Sequence, residues 1–231
     1  MPLTLALDTS ADVCAVALVR DGICLDRRRR EMTRGHAEAL VPMVQAAASA
    51  AGLSLSEIDL VGVTKGPGSF TGLRTGIAAA RGFAIASGAP AIGVSSLQAV
   101  ALAAARAAQP GAEILCVLDT RRADYFAQTF SADGTPAGAP GVFDAPGIRA
   151  LLRDDVTLLA GNAVPRLLAD LPEHSSRVRS APGDGCPDAV DIAALAEATF
   201  HKEGLSSDTL SPLYLRAPEA KLPANGGRLK R

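Results

Sequence analysis

Apolar residues follow two rhythms along this chain, and its elements begin and end where one gives way to the other. Ile58, Leu60, Val61 and Val63 form a run too short and too β-branched for a helix, so residues 58–64 are predicted to form a buried strand. Gly66-Pro67-Gly68 cannot continue a regular element and predicts a turn. A helix over 71–87 follows, in which Gly72, Gly76, Ala80 and Ala84 recur every four residues. Residues four apart share one helical face, so this face is a groove almost without side chains. Glycine inside a helix costs about 1 kcal/mol relative to alanine. Two on one stripe therefore predict another backbone pressed closely against them. A helix over 35–51 supplies Ala39, Met43, Ala46, Ala47 and Ala50, with Leu40 and Val44 beside them. Together the two helices predict an assembly face, half of a four-helix bundle completed by another molecule.

Leu5-Ala6-Leu7-Asp8-Thr9 recurs as Cys116-Val117-Leu118-Asp119-Thr120. With one extra residue in the second copy, Asp12 matches Asp124 and Asp21-Gly22 matches Asp133-Gly134. Each copy reads strand, Asp-Thr turn, strand, Asp-Gly turn. A repeat of about half the chain predicts two related lobes, residues 1–108 and 109–216. The first adds a strand at 91–94 and a helix at 96–108. The second adds a strand at 156–160 and helices at 163–171 and 188–203, with the Pro- and Gly-rich stretch 136–146 as a surface loop. Residues 217–231, with Pro218, Pro223, Gly226 and Gly227, read as a frayed, flexible tail. Hairpins followed by strand–helix alternation give an α/β fold of mixed sheets with flanking helices. Two RNase H-like lobes of this kind resemble the actin–Hsp70–sugar-kinase superfamily.

Three motifs carry a narrower resemblance: Leu7-Asp8-Thr9-Ser10, the run from Gly66 to Arg74, and Pro212-Leu213-Tyr214-Leu215-Arg216. With them the chain resembles the bacterial TsaB family (older name YeaZ). The resemblance implies a non-catalytic partner or scaffold of TsaD, acting with the ATPase TsaE in threonylcarbamoyl transfer to the adenosine beside the anticodon of tRNA. It implies a heterodimer with TsaD, a homodimer when alone, and contact with tRNA through the complex. It also implies no cofactor of its own, with ATP and metal held by the partner proteins. TsaD is similar in its first lobe but carries a His-x-x-x-His pair after the strand equivalent to 91–94. The matching positions here are Ser96 and Val100, and neither is a competent ligand for that site. The partner-facing residues expected on the two small-residue helices are His36, Ala39, Leu40, Met43, Ala47, Gly72, Arg74, Gly76, Ala80 and Phe83.

Composition narrows the class. A chain of 231 residues with 48% hydrophobic and 20% charged residues buries one good core or two small ones. A net charge of −1 argues against a general nucleic-acid-binding surface. No apolar run approaches a bilayer span, no leader precedes Leu3, and the four cysteines lack ligand-like pairing, so a cytoplasmic protein is expected.

The titratable residues carry the remaining candidates. In the superfamily the position of Asp8 and Asp119 approaches Mg-bound phosphates of ATP. Here the turns read Asp8-Thr9-Ser10-Ala11 and Asp119-Thr120-Arg121-Arg122, with side chains where glycine would admit a phosphate. Vestigial nucleotide contacts at Asp8, Asp119 and Gly161 stand beside a plain role in capping turns. A phosphate cradle at Ser69-Phe70-Thr71 stands beside a helix cap. The arginine run Arg27 to Arg30 alternates between faces of a third strand. It reads either as a charged edge that resists aggregation or as a contact for RNA or an acidic partner. His36 opens a helix, facing solvent or a partner. Two rival functions remain. Tight ATP binding would mark an ATP-dependent small-molecule kinase or carbamoyl transferase. Labelling of one residue by an active-site probe would mark a glycoprotease-like peptidase, although no Ser–His–Asp or Cys–His arrangement is recognisable.

Overall fold

The half-chain repeat produces two five-stranded sheets of one topology, seen in a computed structural model that describes residues 2–153, 157–175, 178–204 and 210–216. In the first sheet, β1 (Leu3–Ala11), β2 (Val13–Arg20) and β3 (Ile23–Glu31) run antiparallel. Beyond β1 lie β4 (Leu60–Gly66) and β5 (Ala91–Ser95), both parallel to it, in the order β3-β2-β1-β4-β5. The second sheet repeats this with β6 (Glu113–Asp119), β7 (Tyr125–Ser131), β8 (Gly141–Phe143), β9 (Thr157–Ala160) and β10 (Arg179–Ser180). Its order is β10-β9-β6-β7-β8, so each strand occupies the place of the strand five before it. The expected two-lobed α/β architecture is what the chain adopts.

Helices cover both faces of each sheet. On the first, α1 (His36–Ala51) and α2 (Phe70–Ser87) pack over Leu5, Leu7, Cys14, Val16, Leu18, Val61 and Val63. The opposite face, carrying Ala6, Ala15, Ala17 and Leu60, is covered by α6 (Ala189–Glu203) through Ile192, Ala193 and Ala196. On the second sheet, α3 (Ser96–Ala105) covers Ile114, Cys116 and Leu158. Helices α4 (Ala145–Leu151) and α5 (Val164–Asp170) cover Leu115, Val117 and Leu159 on the other side.

The lobes thus exchange helices. The last helix of the 1–108 segment lies on the second sheet, and α6, from within 109–216, lies on the first. The two exchanged helices touch, so they form the seam between lobes. Helix α3 ends at Ala105, short of the expected 108. The stretch 136–146 is no simple loop: it contributes β8 to the sheet edge and the first turn of α4, capped by Asp144 Oδ1 accepting from Gly147 N at 2.8 Å. The tail 217–231 lies outside the described residues.

Candidate functional site

The small-residue stripe of α2 does meet a backbone, but that backbone is its own β1. Thr9 Oγ1 donates to Gly72 O at 2.7 Å, and Ser69 N donates to Ser10 O at 2.8 Å. A Cβ at Gly68 would lie 2.6 Å from Ser10 O, and one at Gly76 would lie 2.6 Å from Thr9 Oγ1; at Gly72 it would collide with the Thr9 carbonyl. Gly72, Gly76 and Ala80 are buried inside the lobe. Leu40 and Ala47 belong to the same core, with Ala39, Met43 and Phe83 partly buried against it. These eight residues therefore do not form an outward face. His36 is turned inward as well, its Nε2 3.1 Å from Ala11 O at the β1–β2 turn. Of the ten expected interface residues only Arg74 is exposed, and its guanidinium lies over Phe70, 3.8 Å from the ring centroid.

The outward side of the helix pair carries different residues. At about 100° per residue, Gly82 lies some 200° around α2 from Ala80, and a Cβ there would meet nothing within 4 Å. Ala78, Gly82 and Ala86 form a second, exposed stripe. Beside it on the same helix Ile85 is 83% exposed. The sequence held this signal, because Gly82 is a third glycine of α2, set off the inner stripe.

The second candidate site is a cavity of about 660 Å³ between the lobes. The β1–β2 turn, the β4–α2 loop, the β6–β7 turn, Asn162 and residues 214–216 line it. The two repeat aspartates fare differently here. Asp119 lines the cavity, its Oδ1 held by Arg166 Nη2 at 3.1 Å and by the Arg121 backbone N–H at 3.0 Å. Asp8 is fully buried beneath the loop and does not line it. Its Oδ1 accepts from Thr64 Oγ1 at 2.5 Å and from Ser10 N at 3.0 Å, while Oδ2 has no hydrogen-bond partner among the described residues. Burial raises the Asp8 carboxyl above the ordinary range, and the Thr64 and Ser10 hydrogen bonds offset this only in part. Arg121 crosses from the second lobe to pair with Asp12 of the first. Gly161, at φ 116°, sits against the Val117 carbonyl, closing a strand-to-helix turn too tight for a side chain.

The residues present do not fit a magnesium nucleotide. One aspartate is enclosed, the other is paired, and an arginine spans the gap between the turns. Ser96 and Val100 are buried in the seam around α3. Among the described residues no three His, Cys, Asp or Glu side chains cluster as metal ligands. Burial pushes the Cys14 thiol up to about 11 and the Cys116 thiol higher still, which disfavours the thiolate a cysteine nucleophile requires.

The arginine run divides as its alternation predicted. Arg27 and Arg29 lie opposite Ala17 and Ala15, on the face covered by α6, and pair with Asp188 and Asp184. Asp188 also caps α6, its Oδ1 accepting from Val190 N at 2.9 Å. Arg28, on the α1 side, pairs with Asp26 at 2.9 Å. No described helix is long and apolar enough to cross a membrane.

Comparison with known proteins places these features. Residues 30–138 match the family model described as TsaD, tRNA N6-adenosine threonylcarbamoyltransferase. The tRNA threonylcarbamoyladenosine biosynthesis protein TsaB of Escherichia coli is 32% identical over 233 residues, covering 95% of this chain and 97% of that protein. The structure of YeaZ from Pseudomonas aeruginosa superposes with a TM-score of 0.78 at 28% identity, covering 93% of this chain and all of that one. A ROK hexokinase from Thermus thermophilus shares the fold, with a TM-score of 0.51 at 14% identity over 84% of this chain and 98% of its own.

Proposed function

This chain belongs to the TsaB (YeaZ) family, and on that footing we propose that it is the non-catalytic partner of a TsaD-type transferase in threonylcarbamoyladenosine formation on tRNA. One observation carries the reading: the Ala78-Gly82-Ala86 stripe of α2, with Ile85 next to it on the helix, is exposed, and among the described residues nothing lies within 4 Å of a Cβ built on Gly82. An exposed helix gains nothing from a central glycine on its own account, because alanine there is about 1 kcal/mol better. Close approach of a second helix pair gives Gly82 a purpose. The TsaD match spans residues 30–138 and so includes α1 and α2, which supports a partner offering a similar helix pair. A second copy takes that place when the chain is alone, giving an isologous homodimer. ATP, metal and the transfer chemistry lie with TsaD and TsaE, and tRNA is met through the complex. The kinase and peptidase readings have less support, because Asp8 is enclosed, Asp119 is paired, and the Cys14 and Cys116 thiols are buried.

The test is Gly82→Arg, which leaves both cores untouched. Binding to TsaD, followed by titration calorimetry, should weaken at least about tenfold, the effect of losing roughly 1.4 kcal/mol, with a melting temperature no lower than the parent's because arginine is the better helix former. Full-strength TsaD binding by both Gly82→Arg and Ile85→Asp would refute the docking face.

A further inference from the structure

The motif Pro212-Leu213-Tyr214-Leu215-Arg216 has no part in the docking face, yet its residues are tied to both lobes. On the first lobe, Leu213 N donates to Lys65 O at 2.7 Å. Gly66 lies flush against this segment, since a Cβ there would stand 2.7 Å from Leu213 O. The Tyr214 ring stacks on Phe70 with centroids 5.4 Å apart, and its hydroxyl accepts from Arg74 Nε at 3.2 Å. On the second lobe, Arg216 pairs with the Oδ2 of Asp124. The other oxygen of that carboxylate accepts from Thr120 Oγ1 at 2.6 Å, so the acceptor is fixed in place before Arg216 reaches it. Tyr214, Leu215 and Arg216 form one wall of the 660 Å³ cavity.

We propose that residues 212–216 are a strap that clamps the lobes closed over the interlobe cavity, with the Arg216–Asp124 pair as its latch. The attachments differ in kind. The first-lobe end rests mainly on a backbone hydrogen bond, a close backbone approach and a ring stack, none of which depends on charge, with the Arg74–Tyr214 hydrogen bond added to them. The second-lobe end is an ion pair with both side chains about a quarter exposed, at 25% and 28%. Coulombic attraction in partial contact with water is weak enough to be competed away. The Arg121–Asp12 pair across the same gap is more exposed, at 57% and 52%, and holds less firmly. Release of Arg216 therefore frees the strap from the second lobe while leaving it anchored on the first, and the cavity loses a wall.

Hydrogen exchange of the full chain tests this. In Arg216→Ala, the amides of residues 10–12, 68–71 and 118–122 should exchange about fivefold faster or more, with residues 3–7 of β1, 113–117 of β6 and all of β2 unaltered. Arg216→Lys keeps the charge and should stay within about twofold of the parent. Unchanged exchange in Arg216→Ala would overturn the strap. So would acceleration spread evenly over both sheets, which marks general destabilisation, or equal acceleration in the Lys and Ala variants, which would show that charge is not the latch.

Discussion

The hydroxyl of Thr9 donates to the carbonyl of Gly72 over 2.7 Å, joining the end of β1 to the first turn of α2. This bond shows why the helix needs glycine. A side chain at 72 or 76 would occupy the space where β1 passes, and the loop that covers Asp8 would lift away. The family's glycine run is, at this point, a packing device within one lobe.

Gly76→Leu should therefore destabilise the monomer. Its Cβ alone would meet Thr9 Oγ1 at 2.6 Å and Val63 Cγ2 at 3.3 Å. The cost should reach the upper end of the about 1–3 kcal/mol typical of overpacking, lowering the melting temperature by roughly 5–10 °C. Thermal unfolding beside Gly82→Arg checks it. A Gly76→Leu protein that melts normally but fails to bind TsaD would put the docking face back on the inner stripe.

Asp8→Asn should cost less stability as the pH rises. Asn keeps an acceptor for Thr64 and Ser10. Because burial raises the folded-state pKa of Asp8, the unfolded chain gives up this proton at lower pH than the folded one. Asp8 therefore favours folding most below its unfolded value of about 3.9, and that contribution is lost as pH climbs through the folded value. Measured by urea unfolding, the variant should gain on the parent between pH 4 and pH 7. A difference constant with pH, or one shifting the other way, would show that Asp8 is ionised in the fold.

The two faces of the arginine strand should separate on mutation. Removing Arg27 and Arg29 together unties Asp188 and Asp184, at and just before the start of α6, from β3. Partly exposed pairs contribute about 0–1 kcal/mol each, so the double alanine variant should melt roughly 2–4 °C lower, and less so in molar salt. Arg28 and Arg30 replaced by Ser should lose under about half of that and keep TsaD binding. Equal losses from both pairs would mean that the α6 face has no special role.

The sequence by itself determined most of the elements and their order, though not β8, α4 or β10. Period-two and period-four apolar patterns are local, and the Asp-Thr and Asp-Gly turns repeat at matching places, so two homologous hairpin lobes are legible in the sequence alone. It also determined that a backbone must lie against Gly72 and Gly76, because only close approach justifies glycine there. Whose backbone it is was decided by tertiary structure: a small-residue stripe has no complementary side chains to name its partner, and Thr9 lies 63 residues away. Tertiary structure likewise exchanged α3 and α6 between the sheets, since an amphipathic helix specifies a buried face without specifying which sheet covers it. It also enclosed Asp8 while leaving Asp119 in the cavity. The same Asp-Thr motif ends beneath a glycine loop in one lobe and beside Arg166 in the other, and burial rather than residue type separates the two carboxylates.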